Sequence, residues 1–176
     1  GFMSTIDTYD GIERFESTNT TPESPDVWRH FANAVKSGIE NYVVEVSAQA
    51  LKYQRVEWVT FNVAGFTNID NDHISDVEHP TFEDYFYSKL KLFDNCRIAC
   101  VNTDDPKCDI MLDYIGGRVP VITFGSHESD TIYCKSIETR SDGIYFEVVT
   151  PLWERTMKIT MPGEFNVKNA LCAIDM

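Results

Sequence analysis

The chain is short of positive charge, of glycine-rich loops and of long apolar runs, and each shortage removes a class of function. Lys and Arg total 15 against 28 Asp and Glu, a formal net charge of −13. Nucleic-acid binders need a basic footprint to displace phosphate counterions, and proteins of the membrane surface need basic patches facing anionic lipid. Neither nucleic acid nor a membrane is therefore expected as a partner. No apolar stretch approaches the roughly 18 residues of a membrane span, and no basic-then-apolar leader opens the sequence. The five cysteines (Cys96, Cys100, Cys108, Cys134, Cys172) are irregularly spaced with no C-x-x-C pair. That argues against a zinc ribbon or a secreted disulfide framework, and for reduced, mostly buried thiols in a cytoplasmic protein. A Gly-Lys-Ser or Gly-Lys-Thr phosphate loop is also missing. What is present is enough for a soluble folded domain: 176 residues, 43% apolar and 12% aromatic, too apolar for an acidic disordered tail.

Residues 1–24 are rich in Ser, Thr, Gly and Asp and read as irregular. From Pro25-Asp26, a helical pattern of Val27, Trp28, Phe31, Ala32 and Val35 runs to a stop at Gly38. Tyr42 to Val46 reads as a short buried strand, Ala48 to Lys52 as a helical turn and Val56 to Val63 as a strand. A helix is expected over Phe82 to Phe93, a strand over Arg97 to Val101, a short helix over Pro106 to Tyr114 and a strand over Val119 to Phe124. Ile132 to Ile137 and Gly143 to Val149 read as an antiparallel pair, Lys158 to Met161 as a last strand and Asn166 onward as a last helix. Strands and helices alternate, then a small β-rich extension follows. The expected fold is α/β, a mostly parallel sheet flanked by helices.

In open sheets of this kind, ligands sit beyond the carboxyl ends of the strands. Those ends are polar here: Glu45-Val46-Ser47, then Thr67-Asn68 and Asp72-His73, then Asn102-Thr103-Asp104-Asp105, with Lys89 on the intervening helix. An acid, a histidine and hydroxyls at one sheet edge suit a magnesium-bound phosphate, since Mg²⁺ prefers oxygen ligands. Read singly, each has an ordinary structural explanation: a salt-bridged acid, a loop histidine, a solvated lysine.

Their order carries more than any one of them. Asn19-Thr20-Thr21-Pro22, Glu45-Val46-Ser47-Ala48-Gln49-Ala50-Leu51, Arg55-Val56, Phe66-Thr67-Asn68, Asp72-His73, Tyr85 with Ser88-Lys89, Asn102-Thr103-Asp104-Asp105 and Gly163-Glu164-Phe165-Asn166-Val167-Lys168-Asn169-Ala170-Leu171 follow one another. Together they resemble the Mur ligase family, and within it the MurE type, the ligases of UDP-N-acetylmuramoyl-dipeptide in peptidoglycan synthesis. The resemblance spans nearly the whole chain. It implies the central, ATP-binding domain of a three-domain enzyme, with a fold like that of P-loop NTPases. It implies ATP-driven formation of an acyl phosphate, then amide formation with an incoming amino acid. It also implies two Mg²⁺ ions and a carbamylated lysine. Carried over by position, Glu45, His73 and Lys89 would be the catalytic, metal-holding residues, Lys89 as the carbamate. Asn19, Thr20, Thr21, Ser47 and Arg55 would bind the UDP-muramoyl-peptide. Thr67 and Asn68 would line the ATP phosphate region, and Asn166 and Asn169 would approach the adenine.

The pattern departs from the family in places. Ala48-Gln49 stands where a serine-histidine pair is usual, Tyr53 where glutamine is common, and Ser75 where an acid follows the histidine. The chain starts Gly1-Phe2-Met3 and stops at Met176 inside a helical pattern, so a piece of a longer ligase is expected, without its UDP-binding domain, phosphate loop and C-terminal domain. Such a piece is expected to be monomeric and inactive by itself. A related amide ligase, of folylpolyglutamate-synthase or amidotransferase-partner type, and a non-catalytic Mur-like binding domain are the alternatives. The added amino acid is not encoded in these residues.

Overall fold

The computed structural model describes residues 1–69, 75 and 78–176. The chain forms two compact units, Gly1–Val59 with Asn71–Leu92, and Thr60–Asp70 with Phe93–Met176.

The first unit contains strands β1 (Phe2–Met3), β2 (Asp7–Tyr9), β3 (Arg14–Glu16) and β4 (Val43–Val44), and helices α1 (Ser24–Ser37), α2 (Ala48–Lys52) and α3 (Phe82–Leu90). The strand order is β3-β2-β1-β4, antiparallel except for the parallel pair β1 and β4. Residues 1–24, expected to be irregular, thus supply three strands. They are two or three residues long, too short to show a two-residue period. The strand expected over Tyr42–Val46 is reduced to Val43–Val44.

The chain leaves α1 through Gly38 at φ +79°, where the Gly38 and Ile39 amides cap the last carbonyls. The inward face of α1 is Val27, His30 and Ala34, while Trp28 and Val35 are exposed. The buried stripe is therefore rotated from the expected one, because a polar group recruits it. The carboxylate of Asp10, fully buried, accepts from His30 Nδ1 at 2.7 Å and Asn33 Nδ2 at 2.9 Å. It also accepts from the Ile12 and Glu13 amides at 3.0 and 2.7 Å.

The second unit is a six-stranded sheet, β10-β9-β8-β7-β6-β5, built from β5 (Phe61–Phe66), β6 (Cys96–Asn102), β7 (Val121–Gly125), β8 (Ile132–Arg140), β9 (Gly143–Val149) and β10 (Glu154–Ile159). β5 to β8 pair in parallel, and β8 to β10 antiparallel. This is the expected α/β architecture with its β-rich extension. β6 is buried almost continuously from Ala99 to Asn102, as a strand covered on both faces must be. β9 alternates, with Ile144, Phe146 and Val148 buried. Helix α4 (Cys108–Ile115) links β6 to β7, and α5 (Phe165–Asp175) packs on the sheet through Val167, Leu171 and Cys172. Gly65 permits that approach, since a Cβ there would lie 2.6 Å from Cys172 Sγ.

The strand expected over Val56–Val63 begins instead at Phe61. Residues before it form turns, with Gln54 at φ +59° and an exposed Trp58 at φ +68°. The last strand ends at Ile159, earlier than expected. Among the described residues no helix is long and apolar enough to cross a membrane.

Candidate functional site

Each unit gathers one set of the residues singled out in the sequence. In the first unit the focus is Glu45, exposed just after β4. Its backbone is fixed by the Glu45 amide donating to the Met3 carbonyl at 2.8 Å. Its carboxylate accepts from the Thr5 amide at 2.8 Å and the Thr5 hydroxyl at 3.0 Å, and that hydroxyl lies 2.9 Å from Thr20 Oγ1. Thr21 Oγ1 bridges the same backbone turn, donating to the Glu45 carbonyl at 2.8 Å and accepting from the Ser47 amide at 3.0 Å. Ser47 then caps α2, its Oγ accepting from the Ala50 amide at 3.1 Å. Arg55, at the far end of that turn, donates to the Thr21 carbonyl at 3.1 Å and pairs with Glu23 at 2.8 Å.

Thr20, Thr21, Glu45, Ser47 and Arg55 are thus brought into one network, with Asn19 exposed on the approach. Thr5 belongs to it and escaped the sequence reading, because it sits in a segment with no periodic signal. Lys89 is half-buried on the last turn of α3, its Nζ 5.2 Å from the centre of the Tyr85 ring. His73 and Asp72 lie outside the described residues.

In the second unit a cavity of about 500 Å³ opens at the carboxyl ends of β5, β6 and β7 and against the start of α5, a volume typical of small-molecule sites. Its polar wall includes Asn68, Asn102, Asp104, Ser126 and Lys168. Asp104 Oδ1 accepts from Ser126 Oγ at 2.7 Å and the Ser126 amide at 3.2 Å, and Oδ2 lies 3.1 Å from Lys168 Nζ. Burial acts to raise the Asp104 carboxyl, but the Ser126 and Lys168 hydrogen bonds outweigh it and hold the group below its usual range. Thr103 Oγ1 donates to the buried Asp130 at 2.8 Å, and Asn102 Nδ2 to the Thr67 carbonyl at 2.8 Å.

Asn166 and Asn169 stand on the first turns of α5, linked at 3.2 Å, and Asn166 also donates to the Pro162 carbonyl. They flank the cavity without lining it; Lys168, between them, does line it. Lys168, Ser126 and Asp130 were missed. Applying the strand-end rule to β7 as well as β5 and β6 would have pointed to Ser126 and Asp130.

Asp10, Glu13 and His30 also place ligand-type atoms within 4.8 Å of one another. The Arg29 guanidinium pairs with Glu13 and lies 3.3 Å from His30 Nε2. That cluster already has its positive charge, and it reads as structural.

The family profile for the Mur ligase middle domain matches residues 1–176. The chain belongs to the Mur ligase family. It is 36% identical over 177 residues to the UDP-N-acetylmuramoyl-L-alanyl-D-glutamate–L-lysine ligase of Enterococcus faecalis, covering 97% of this chain and 35% of that protein. It is 34% identical over 174 residues to the corresponding 2,6-diaminopimelate ligase of Clostridium botulinum, covering 99% and 35%. The fold matches a solved 2,6-diaminopimelate ligase with a TM-score of 0.82 at 21% identity, over 99% of this chain and 36% of that one. The chain therefore spans about a third of the length of the curated relatives it matches.

Proposed function

We propose that this chain is the middle domain of an ATP-dependent ligase that joins an amino acid to UDP-N-acetylmuramoyl-dipeptide in peptidoglycan synthesis. The observation that carries this is the likeness to lysine-adding and diaminopimelate-adding ligases over nearly the whole chain. In the reaction the terminal carboxylate of the dipeptide attacks the γ-phosphorus of ATP, releasing ADP and leaving an acyl phosphate. The amine of the incoming amino acid then adds to the acyl carbon, phosphate leaves, and the amine loses a proton as the amide forms.

The donor set fits Mg²⁺. Glu45 offers carboxylate oxygen, with the Thr5 and Thr20 hydroxyls adjacent, and hard cations of this kind take oxygen. An amine does not suit such an ion, so Lys89 fits only after its neutral amine adds to CO₂ and the adduct gives up one proton to solvent, leaving an anionic carbamate. Glu45, His73 and Lys89 would hold the two ions, which when bound neutralise charge on the phosphoryl oxygens.

The remaining roles fall to the chain itself. Arg55 ties the Thr21–Glu23 loop to the end of α2 and so fixes where Thr20 and Thr21 present their hydroxyls. With Asn19 and Ser47 they contact the muramoyl-peptide. The cavity of the second unit takes ATP, with Asn68 and Lys168 on its wall; Asn68 and the adjacent Thr67 face the phosphate region, and Asn166 and Asn169, beside the cavity, approach the adenine. We place the enzyme in the cytoplasm, where ATP and nucleotide sugars are made, and as a monomer.

The test is ligation by the full-length protein that contains this chain. With ATP, Mg²⁺, the UDP-muramoyl-dipeptide and L-lysine or diaminopimelate, mass spectrometry should show the tripeptide product and one ADP per amide. No product with either amino acid refutes the proposal.

A further inference from the structure

Two members of the proposed metal-holding set adjoin helices α2 and α3: Glu45 precedes α2 and Lys89 lies on α3. α2 starts at its Ser47 cap, two residues after Glu45, and α3 ends one residue after Lys89. One polar chain joins them. Lys52, on the last turn of α2, places Nζ 2.7 Å from Asp84 Oδ2 on the first turn of α3 and donates to the Glu78 carbonyl at 3.0 Å. The same Asp84 oxygen accepts from His79 Nδ1 at 2.7 Å. The His79 carbonyl accepts from the Ser75 amide at 2.9 Å, and Thr81 caps α3 by accepting from the Asp84 amide at 3.1 Å.

Stability does not account for this set. A half-exposed lysine–aspartate pair contributes little. His79 is 1% exposed, its ring 5.2 Å from that of Tyr85, and its Nε2 has no hydrogen-bond partner among the described residues. A buried nitrogen left so costs about 1–3 kcal/mol, a cost that an apolar side chain against Tyr85 would avoid. What histidine adds is direction. Its Nδ1 proton holds one carboxylate oxygen where Lys52, arriving from the other helix, must meet it.

We propose that Lys52, Asp84 and His79 form a positioning latch that sets α2 against α3 and thereby sets the separation of Glu45 from Lys89. The latch deepens the ligase reading and rests on Glu45 and Lys89 holding Mg²⁺. None of its three members touches substrate; they act through the two helices.

The experiment uses the full-length ligase with Asp84→Ala, and with the near-isosteric Asp84→Asn as a second variant if the first folds poorly. Spin labels on unnatural amino acids replace the exposed Tyr53, after α2, and Tyr87, on α3. Expected are a broadened label-to-label distance distribution and a Mg²⁺ concentration for half-maximal ligation raised about tenfold, the size seen when groups supporting metal ligands are removed. The KM for the amino acid should stay fixed, because a general loss of folded protein lowers the amplitude of the rate without moving the Mg²⁺ midpoint. A distribution as narrow as the parent's overturns the latch. So does a broadened distribution with an unmoved Mg²⁺ midpoint in an active enzyme. Absence of any Mg²⁺-dependent ligation in the parent overturns the ligase reading itself, and the positioning role with it.

Discussion

Gly125, at the carboxyl end of β7, sits where three acid and hydroxyl oxygens converge on the cavity wall. A Cβ there would lie 2.5 Å from Thr103 Oγ1, 2.8 Å from Asp130 Oδ2 and 3.2 Å from Asp104 Oδ1. Those oxygens are not free to retreat. Thr103 Oγ1 and Asp130 Oδ2 are bonded to each other at 2.8 Å, and Asp130 also holds the His127 amide at 3.2 Å. Gly125→Ala must therefore open the Thr103–Asp130 bond. Losing one hydrogen bond to a charged acceptor costs about 1.5–3 kcal/mol, and overpacking adds about 1–3 kcal/mol. Allowing for partial relaxation, a net loss of about 2–4 kcal/mol is expected. At about 2–4 °C per kcal/mol for a chain of this size, the melting temperature should fall by roughly 4–16 °C. Scanning calorimetry reads that shift, and titration with ATP should show weaker binding in parallel. Thr103→Ala removes the nearest oxygen and the bond that must open, so Gly125→Ala should cost about 1.5–3 kcal/mol less in that background. A melting temperature within about 1 °C of the parent's would refute the crowding argument, as would equal costs in both backgrounds.

Two further outcomes follow from the first unit. Burial pushes the Asp10 carboxyl up, but hydrogen bonds from His30, the Glu13 amide, Asn33 and the Ile12 amide overcome it and hold the group well below the usual carboxylate range. Its contribution is thus present above the ordinary carboxylate pKa of about 3.9 and is lost as pH falls toward the depressed native value; Asp10→Asn should cost about 3 kcal/mol at pH 7 in denaturant melts, with the gap to the parent narrowing in acid. Ser47→Ala removes the α2 cap and should destabilise by about 1 kcal/mol, while Ser47→Asp, which keeps an acceptor there, should retain most of that stability in the same melts.

The parts of the fold that were legible in the sequence are those with strong local signals. Pro25 and Gly38 bracket α1, and the alternation of Ile144, Phe146 and Val148 marks β9. The apolar run through Ala99, Cys100 and Val101 marks a central parallel strand. What was illegible depends on contacts distant in sequence. Asp10 and His30 are twenty residues apart, and no period links them, yet their pairing turns α1 on its axis. Trp58 looks like a strand residue by type, but its left-handed backbone conformation places it in a turn. In the candidate site, Thr20, Thr21, Glu45, Ser47 and Arg55 were recognisable as motif members, and the structure joins them through hydrogen bonds. Thr5 was not, because it enters its site from a loop that only the folded sheet brings near; Ser126 follows the end of β7, where the strand-end rule would have found it.

The proposed chemistry can be followed through a single oxygen. If the full-length ligase is given UDP-muramoyl-dipeptide labelled with ¹⁸O in its terminal carboxylate, the attack on ATP makes a labelled oxygen the bridge to phosphorus. Amide formation then breaks the carbon–oxygen bond and sends that atom away with phosphate. One ¹⁸O in the inorganic phosphate for each amide formed is the expected result. Amide with unlabelled phosphate, or no amide at all, would contradict it.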